Sequence, residues 1–272
     1  LGKQSMRREI TGFSNPLVKQ VRSLREKKYR KREGLFLAEG LRILTDAREA
    51  GFIPEMLFRL AGRESHPLEE LIEQAVLDAG GEIIETSGDI LSKLSGKDNA
   101  QTVIGVFREH PTELAALDRS SAPIWLVAQA MRDPGNLGTM LRTGDAVGAG
   151  GLILIDDCTD PFSVEAVRAS MGAIFTQKIV QCRWEEFLLW LRSGAGQLVG
   201  TSLLTDLDYQ SPHYVAPCFI LTGNEAQGLP PAYAAACDLL VKMPMRGKAD
   251  SLNAAMATAV MAYEVLNQFR SN

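Results

Sequence analysis

Three short stretches of the chain combine residue types and spacings that could hold a ligand and act on it. The first is Arg132-Asp133-Pro134-Gly135-Asn136-Leu137-Gly138, which runs into a segment carrying Arg142 and Thr143. Pro134-Gly135 makes a tight turn, and Asn136 can cap a helix. Asn136 and Arg142 stand six residues apart, less than two helical turns, so both side chains could reach one site. A capped helix with a surface arginine explains the same spacing and is the simpler reading of this stretch alone. The second is Gly223-Asn224-Glu225-Ala226-Gln227-Gly228-Leu229-Pro230. Gly223 and Gly228 permit positive φ and close approach of backbone to a ligand, with the Glu225 carboxylate between them. A structural turn with a solvated glutamate reads equally well. The third is Pro244-Met245-Arg246-Gly247-Lys248-Ala249-Asp250-Ser251-Leu252-Asn253. Ser251 fits the N-cap of the helix that follows, with Asn253 in its first turn; taken alone, Ser251 is a cap and nothing more.

The elements around these stretches must place them. From residue 124 onward apolar runs of strand length alternate with helical segments. Strands are expected at 124–128, 152–155, 179–182, 198–201, 219–222 and 241–243, and helices at 137–147, 163–171, 184–192 and 251–269. Uninterrupted apolar strands separated by helices imply a parallel sheet covered on both faces. Each of the three stretches follows a strand, and ligands in such sheets bind at loops beyond the strands' carboxyl ends. The first hundred residues also alternate, with strands at 35–39, 56–59, 82–86 and 103–107 and helices at 40–50, 67–79 and 88–95. The fold class is therefore α/β in both halves. The expected division is an N-terminal domain over 1–108, a linker over 109–122 rich in proline, serine and charge, and a second domain over 123–272.

Charge separates the halves further. The first 32 residues hold eleven positive side chains against Glu9 and Glu26, a net +9, so a chain of net charge −4 carries −13 elsewhere. Ser14 or Asn15 can cap a helix that starts at Pro16 and bears most of these cations over an apolar stripe of Val18, Val21 and Leu24. Such a patch on an acidic body is the footprint of a polyanion partner, with Lys19, Arg22, Lys27, Lys28, Arg30 and Lys31 as its contacts. A solvated basic helix is the competing account.

Several function classes drop out. There is no GxxxxGK[ST] and hence no P-loop. The clusters Gly148/Gly150/Gly151 and Gly194/Gly196/Gly200 follow helices and precede strands, the reverse of a dinucleotide fingerprint, and read as helix terminators. Cys158, Cys182, Cys218 and Cys237 include no CxxC pair and His66, His110 and His213 are scattered, so no metal site is expected. The longest apolar stretch, 252–266, contains Asn253, Thr258, Tyr263 and Glu264 and is too short and polar to span a bilayer. The chain opens on Leu1, with Met6 a candidate start, and no leader pattern follows; reduced thiols and a cytoplasmic setting are the expectation.

Together the three stretches resemble the SpoU/TrmH family of RNA 2′-O-methyltransferases. The first matches N-x-G-x-x-x-R at Asn136, Gly138 and Arg142. The second matches G-x-E-x-x-G at Gly223, Glu225 and Gly228. The third matches P-M-x-G then S-L-N at Pro244, Met245, Gly247, Ser251, Leu252 and Asn253. All three occur in order over about 120 residues. Arg168-Ala169-Ser170-Met171-Gly172 is similar to a further family segment. Asn15-Pro16-Leu17-Val18-Lys19, Lys28-Tyr29-Arg30 and Phe36-Leu37-Ala38-Glu39-Gly40 resemble the family's small RNA-binding domain, itself akin to a group of ribosomal proteins. Asn99-Ala100-Gln101-Thr102 departs from the Pro-Gln-Gly-like sequence common there.

The resemblance implies what spacing cannot: a deep trefoil knot in the second domain (the SPOUT fold), an obligate homodimer, S-adenosylmethionine as cofactor and no metal. It assigns Arg142, Asn136, Glu225, Ser251 and Asn253 to catalysis, and Thr222, Gly223, Gly228, Met243, Pro244, Ser251 and Leu252 to the cofactor. Ala254, Ala255 and Ala257 would let the last helix approach a partner closely. Methyl transfer from a sulfonium to a hydroxyl is an in-line displacement with a neutral leaving group, so the protein must align the reactants and help remove one proton. The 2′-hydroxyl distinguishes RNA from DNA. A separate N-terminal domain favours ribosomal over transfer RNA. The alternatives are an RNA-binding or ribosome-assembly protein without catalysis, against which the intact polar set argues, and a base methyltransferase, against which Arg142 argues.

Overall fold

Residues 6–98 and 103–271 are described by a computed structural model. The departure at Asn99-Ala100-Gln101-Thr102 and residues 1–5 lie outside the described residues. In chain order the elements of the first half are β1 (Met6–Ile10), α1 (Pro16–Ser23), α2 (Lys27–Glu33), β2 (Leu35–Glu39), α3 (Leu41–Glu49), β3 (Met56–Leu60), α4 (Pro67–Asp78), β4 (Glu82–Thr86), α5 (Gly88–Ser95) and β5 (Val103–Arg108). The five strands form one mixed sheet in the order β1-β4-β3-β5-β2. Strand β1 has no strand pattern in the sequence because four of its five residues are exposed; only Ile10 is buried. It is held as an edge strand, parallel to β4 from Met6↔Glu82 to Ile10↔Thr86.

The second half comprises β6 (Ile124–Gln129), α6 (Pro134–Val147), β7 (Gly151–Ile155), α7 (Val164–Ser170), α8 (Ala173–Thr176), β8 (Lys178–Cys182), α9 (Trp184–Arg192), β9 (Gln197–Thr201), β10 (Cys218–Thr222), α10 (Pro231–Ala236), β11 (Leu239–Val241) and α11 (Ala254–Arg270). Its six strands pair in parallel throughout, in the order β11-β9-β10-β6-β7-β8. Helices α6 and α11 pack on each other, α6 also on β6 and β7 and α11 on β6 and β10. Trp184, Phe187 and Leu191 of α9 join Trp125, Val127, Phe219 and Leu221 in a core on the sheet. The expected linker is ordered: Arg119 donates to the carbonyls of Leu191 (2.8 Å) and Ala195 (3.0 Å), and its guanidinium lies 4.1 Å from the Trp190 ring centroid.

The chain forms two compact units, one of residues up to His110 together with Phe162–Thr176, the other of Pro111–Pro161 and the residues from Gln177 onward. The segment 162–176, which the sequence places inside the second domain, thus packs with the first. Rings explain this: Phe162 lies 4.9 Å from Phe36, and Phe175 lies 4.7 Å from Phe107. No periodicity within 162–176 could name those partners. No helix among the described residues is long and apolar enough to cross a membrane.

The expected single basic helix is two. Helix α1 starts at the Asn15 cap, whose side chain accepts the Leu17 amide, and ends at Leu24. Helix α2 ends at Gly34, at φ 66°. Arg30 must be withdrawn from the RNA-contact set. It is 3% exposed and donates to the Leu24 carbonyl at 2.9 Å, tying the second helix to the end of the first. Lys19, Arg22, Lys27, Lys28 and Lys31 are exposed, with Lys31 3.3 Å from Glu109.

A buried ionic cluster secures the outer part of the first sheet. Arg59 of β3 meets Glu69 at 2.9 Å, Glu73 at 3.2 Å and Glu85 at 2.8 Å. Arg7 of β1 pairs with Glu73 and Glu85, and Arg63 with Glu69. Three cations face three anions. Burial raises the Glu73 carboxyl, but hydrogen bonds from Ser65 and Arg7 and the charges of Arg7 and Arg59 outweigh it, so Glu73 titrates below its ordinary value. A depressed carboxylate contributes stability that is complete above its unfolded pKa, here 4.5, and is lost as pH falls through the folded value. Removing Arg59 leaves three carboxylates facing two cations, and buried Glu69 and Glu73 each lose one partner. Arg59→Leu should therefore cost about 3–5 kcal/mol, measured as a lowered urea midpoint for the first unit.

Candidate active site

Parallel pairing sends the chain out of β6, β9, β10 and β11 along one edge, with Thr222 level with Ala128 and Val241 level with Thr201. The three chemically marked stretches therefore meet there, as the sequence implied. A cleft of about 410 Å³ opens between the second and third stretches and residues 201–204. Thr222, Gly223, Gly228, Met243, Ser251 and Leu252 line it, as does Glu225. Pro244, expected to hold the cofactor, is exposed and not in the lining. Asn136 and Arg142 are outside the lining as well.

Glycine is required at one wall. A Cβ on Gly223 would lie 2.4 Å from the Gly228 carbonyl carbon and 2.5 Å from the Leu229 nitrogen. The turn closes on itself through Gly228 N–H to the Asn224 carbonyl at 2.9 Å, with Gly228 at φ 68°. The Asn224 side chain accepts from the amides of Ala226 and Gln227 and donates to the Ala130 carbonyl at 2.8 Å.

Glu225 is not merely solvated. Its carboxylate accepts the Arg132 amide at 3.0 Å and the Asp133 amide at 2.9 Å, so the second stretch grips the backbone of the first. Arg132 in turn pairs with Asp157 at 2.9 Å.

Both expected caps are displaced. Asp133, not Asn136, caps α6, accepting the Asn136 amide at 2.8 Å. Asn253, not Ser251, caps α11, accepting the Ala255 amide at 2.9 Å and the Met256 amide at 3.2 Å. The displacement frees Asn136, whose side-chain carbonyl accepts from the Asn253 amide group at 3.0 Å. The third stretch is thereby tied to the first turn of α6, the helix that carries Arg142. Arg142 is exposed and has no hydrogen-bond partner among the described residues.

A buried hydroxyl pair, unmarked in the sequence, underlies the cleft. Thr258 of α11 donates to the Ala254 carbonyl at 2.9 Å, so the 2.7 Å bond between the Thr222 and Thr258 hydroxyls is donated by Thr222. Residues 201–204 also line the cleft and were not singled out. They have no glycine or charge pattern; their only signal is that they follow a strand of the parallel sheet. Burial raises every thiol, Cys158 to about 11 and Cys182, Cys218 and Cys237 to about 12, so none is a nucleophile near neutrality. Among the described residues no group of His, Cys, Asp and Glu could hold a metal ion.

Comparison with known proteins gives the family. The SpoU rRNA Methylase family matches residues 123–263, and an MRM3-like substrate binding domain matches residues 15–105; the chain belongs to the SpoU family. It is 29% identical over 259 residues to the 23S rRNA (guanosine(2553)-2′-O)-methyltransferase RlmP of Bacillus subtilis, covering 95% of this chain and 99% of that protein. It is 32% identical over 248 residues to the 23S rRNA (uridine(2479)-2′-O)-methyltransferase of Streptomyces viridochromogenes, covering 88% and 85%. The AdoMet-bound rRNA methyltransferase of Sinorhizobium meliloti superposes with a TM-score of 0.90 at 37% identity over 96% of this chain and 98% of that one.

The grip of Glu225 is directly measurable. Glu225→Ala should speed amide hydrogen exchange at Arg132 and Asp133 roughly tenfold. Glu225→Gln, which keeps one carbonyl acceptor, should retain most of the protection.

Proposed function

We propose that this protein transfers a methyl group from S-adenosylmethionine to a ribose 2′-hydroxyl of RNA, ribosomal RNA in preference to transfer RNA, as a cytoplasmic homodimer. The observation that carries the reading is the joining of three loops. Glu225 holds the loop ahead of α6, and Asn253 holds the first turn of α6. The arginine helix is thus fixed to the glycine-walled cleft.

The cleft fits the cofactor. Its volume is in the range of small-molecule sites. Its wall at Gly223 must be glycine, because the backbone of Gly228 and Leu229 occupies the place of a side chain and so fixes the turn. Met243, Leu252 and Leu229 give apolar surface for an adenine. Thr222, Gly223 and Gly228 would line the adenosine end, and Ser251 the rim. When bound, S-adenosylmethionine supplies a methyl on a sulfonium whose departure leaves a neutral thioether, so no residue need act as an acid.

What remains for the protein is orientation and removal of the hydroxyl proton. Arg142 is the residue for the RNA side. Its guanidinium donates in a planar fork that matches a phosphate. It anchors the phosphate next to the target ribose and polarises the 2′-hydroxyl, whose proton passes to solvent water as the oxygen takes the methyl. Asn136 and Asn253 act by holding Arg142's helix against the third loop. Glu225 is a positioning residue because its carboxylate is committed to backbone N–H groups. The names of the relatives and the separate N-terminal unit support ribosomal RNA as substrate. The trefoil knot that the family resemblance implies belongs to the same reading.

The homodimer is supported by α11. Met256, Val260 and Tyr263 are exposed at helical spacing, an apolar stripe left uncovered among the described residues. A second copy is its occupant. Ala255, expected in that surface, is instead buried in the core, and Ala254 and Ala257 line the cleft.

Labelled methyl transfer to ribosomal RNA and to total transfer RNA tests the activity, and failure with both would refute it. Arg142→Ala should lower turnover at least about a hundredfold, the scale of a lost transition-state contact. Its cofactor affinity by calorimetry should stay within about threefold, since Arg142 does not line the cleft. Light scattering should give twice the chain mass of 29.7 kDa, and Met256→Lys with Val260→Glu should halve it.

A further inference from the structure

The basic stretch of the first unit holds aromatic rings as well as charge. Phe13 is a central residue of a turn closed by the Asn15 amide on the Gly12 carbonyl at 3.2 Å, immediately ahead of α1. It is 48% exposed, whereas Val18, Val21 and Leu24 just beyond it are buried against Ile90, Leu91 and Leu94 of α5. The core therefore does not account for a phenylalanine at this place. A single exposed ring is ordinary, but this one has a cation over it: Lys93 Nζ of α5 stands 5.8 Å from its centroid. A second ring repeats the pattern on α2, where Arg32 lies 4.8 Å and Lys28 5.8 Å from the centroid of Tyr29. Exposed Lys19, Arg22 and Lys27 belong to the same two helices.

Duplex RNA is held through phosphates and 2′-hydroxyls across its minor groove and has no use for an exposed ring. Unpaired nucleotides are held by stacking their bases on aromatic faces while cations track the backbone. Of the two rings, Tyr29 is half-buried and has two cations over it, whereas Phe13 has one flexible lysine that can leave the ring for a phosphate. We infer that Phe13, with Lys93 over its ring and the cation-bearing helix α1 following it in the chain, is a stacking site for one unpaired nucleotide of the RNA. The first unit therefore selects a single-stranded or looped segment rather than a helix. This rests on the reading of that unit as RNA-binding.

The test uses the full chain, a labelled mixed-sequence single-stranded oligoribonucleotide and the blunt duplex made from it, followed by fluorescence anisotropy over a range of salt. Phe13→Ala should weaken single-strand binding roughly 5- to 100-fold. The slope of log affinity against log salt should not change, because no phosphate contact is lost. Duplex binding should be untouched. Phe13→Trp should bind the single strand at least as well as the wild type. Phe13→Leu, which keeps the apolar volume but removes the π face, should fall with the alanine variant. Binding by Phe13→Leu equal to wild type, or equal losses on single strand and duplex, would overturn the stacking site. Lys27→Ser with Lys28→Ser should weaken both RNAs and flatten the slope by up to about 1.4. A wild-type chain that binds neither RNA would refute the RNA-binding reading of the unit, and the stacking site with it.

Discussion

The amides of Arg132 and Asp133 precede the first helical hydrogen bond of α6, so neither helix nor strand satisfies them. Glu225 satisfies both with one carboxylate. The arrangement depends on the sheet: only because β6 and β10 run parallel and side by side do their outgoing loops lie within reach of one another. With the grip in place, the cleft wall of residues 223–228 and the start of the arginine helix form one piece. The preorganisation needed to align a donor with an acceptor is then a property of hydrogen-bonded backbone rather than of flexible side chains.

A second set of ties runs through α11. Its cap Asn253 uses its side-chain oxygen for the amides of Ala255 and Met256 and its amide group for Asn136. One turn further in, the Thr258 hydroxyl accepts a hydrogen bond from Thr222 and donates one to the Ala254 carbonyl. One buried threonine chain and one cap thus hold the last helix to the floor of the cleft and to α6. With the Thr222 proton committed to Thr258, the Thr222 oxygen can offer any other neighbour only lone pairs.

In the first unit charge is divided between burial and exposure. Arg7, Arg59 and Arg63 are consumed by Glu69, Glu73 and Glu85, and Arg30 by a carbonyl. These cations stabilise the sheet and the helix pair. Lys19, Arg22, Lys27 and Lys28 are left facing solvent. A net charge summed over a segment does not distinguish the two kinds, which is why Arg30 was misplaced.

The alternation of strand and helix, the parallel character of the second sheet and the three loops were legible in the sequence. Each is written in local periodicity and in glycine, proline and polar punctuation. The cleft residues Gly223, Gly228, Met243, Ser251 and Leu252 were reached through the family resemblance that the ordered motifs carry, not through periodicity. What the tertiary structure alone decided are pairings between distant residues. Which of Asp133 and Asn136 caps α6, and which of Ser251 and Asn253 caps α11, depends on a contact between side chains 117 positions apart. The exposed edge strand β1 takes its conformation from β4, because its own residues bury almost nothing. The segment 162–176 goes to the first unit because Phe36 and Phe107 wait there for Phe162 and Phe175. Local pattern states what a segment prefers; its neighbours in space state which backbone groups and rings still lack a partner, and that second condition placed these residues.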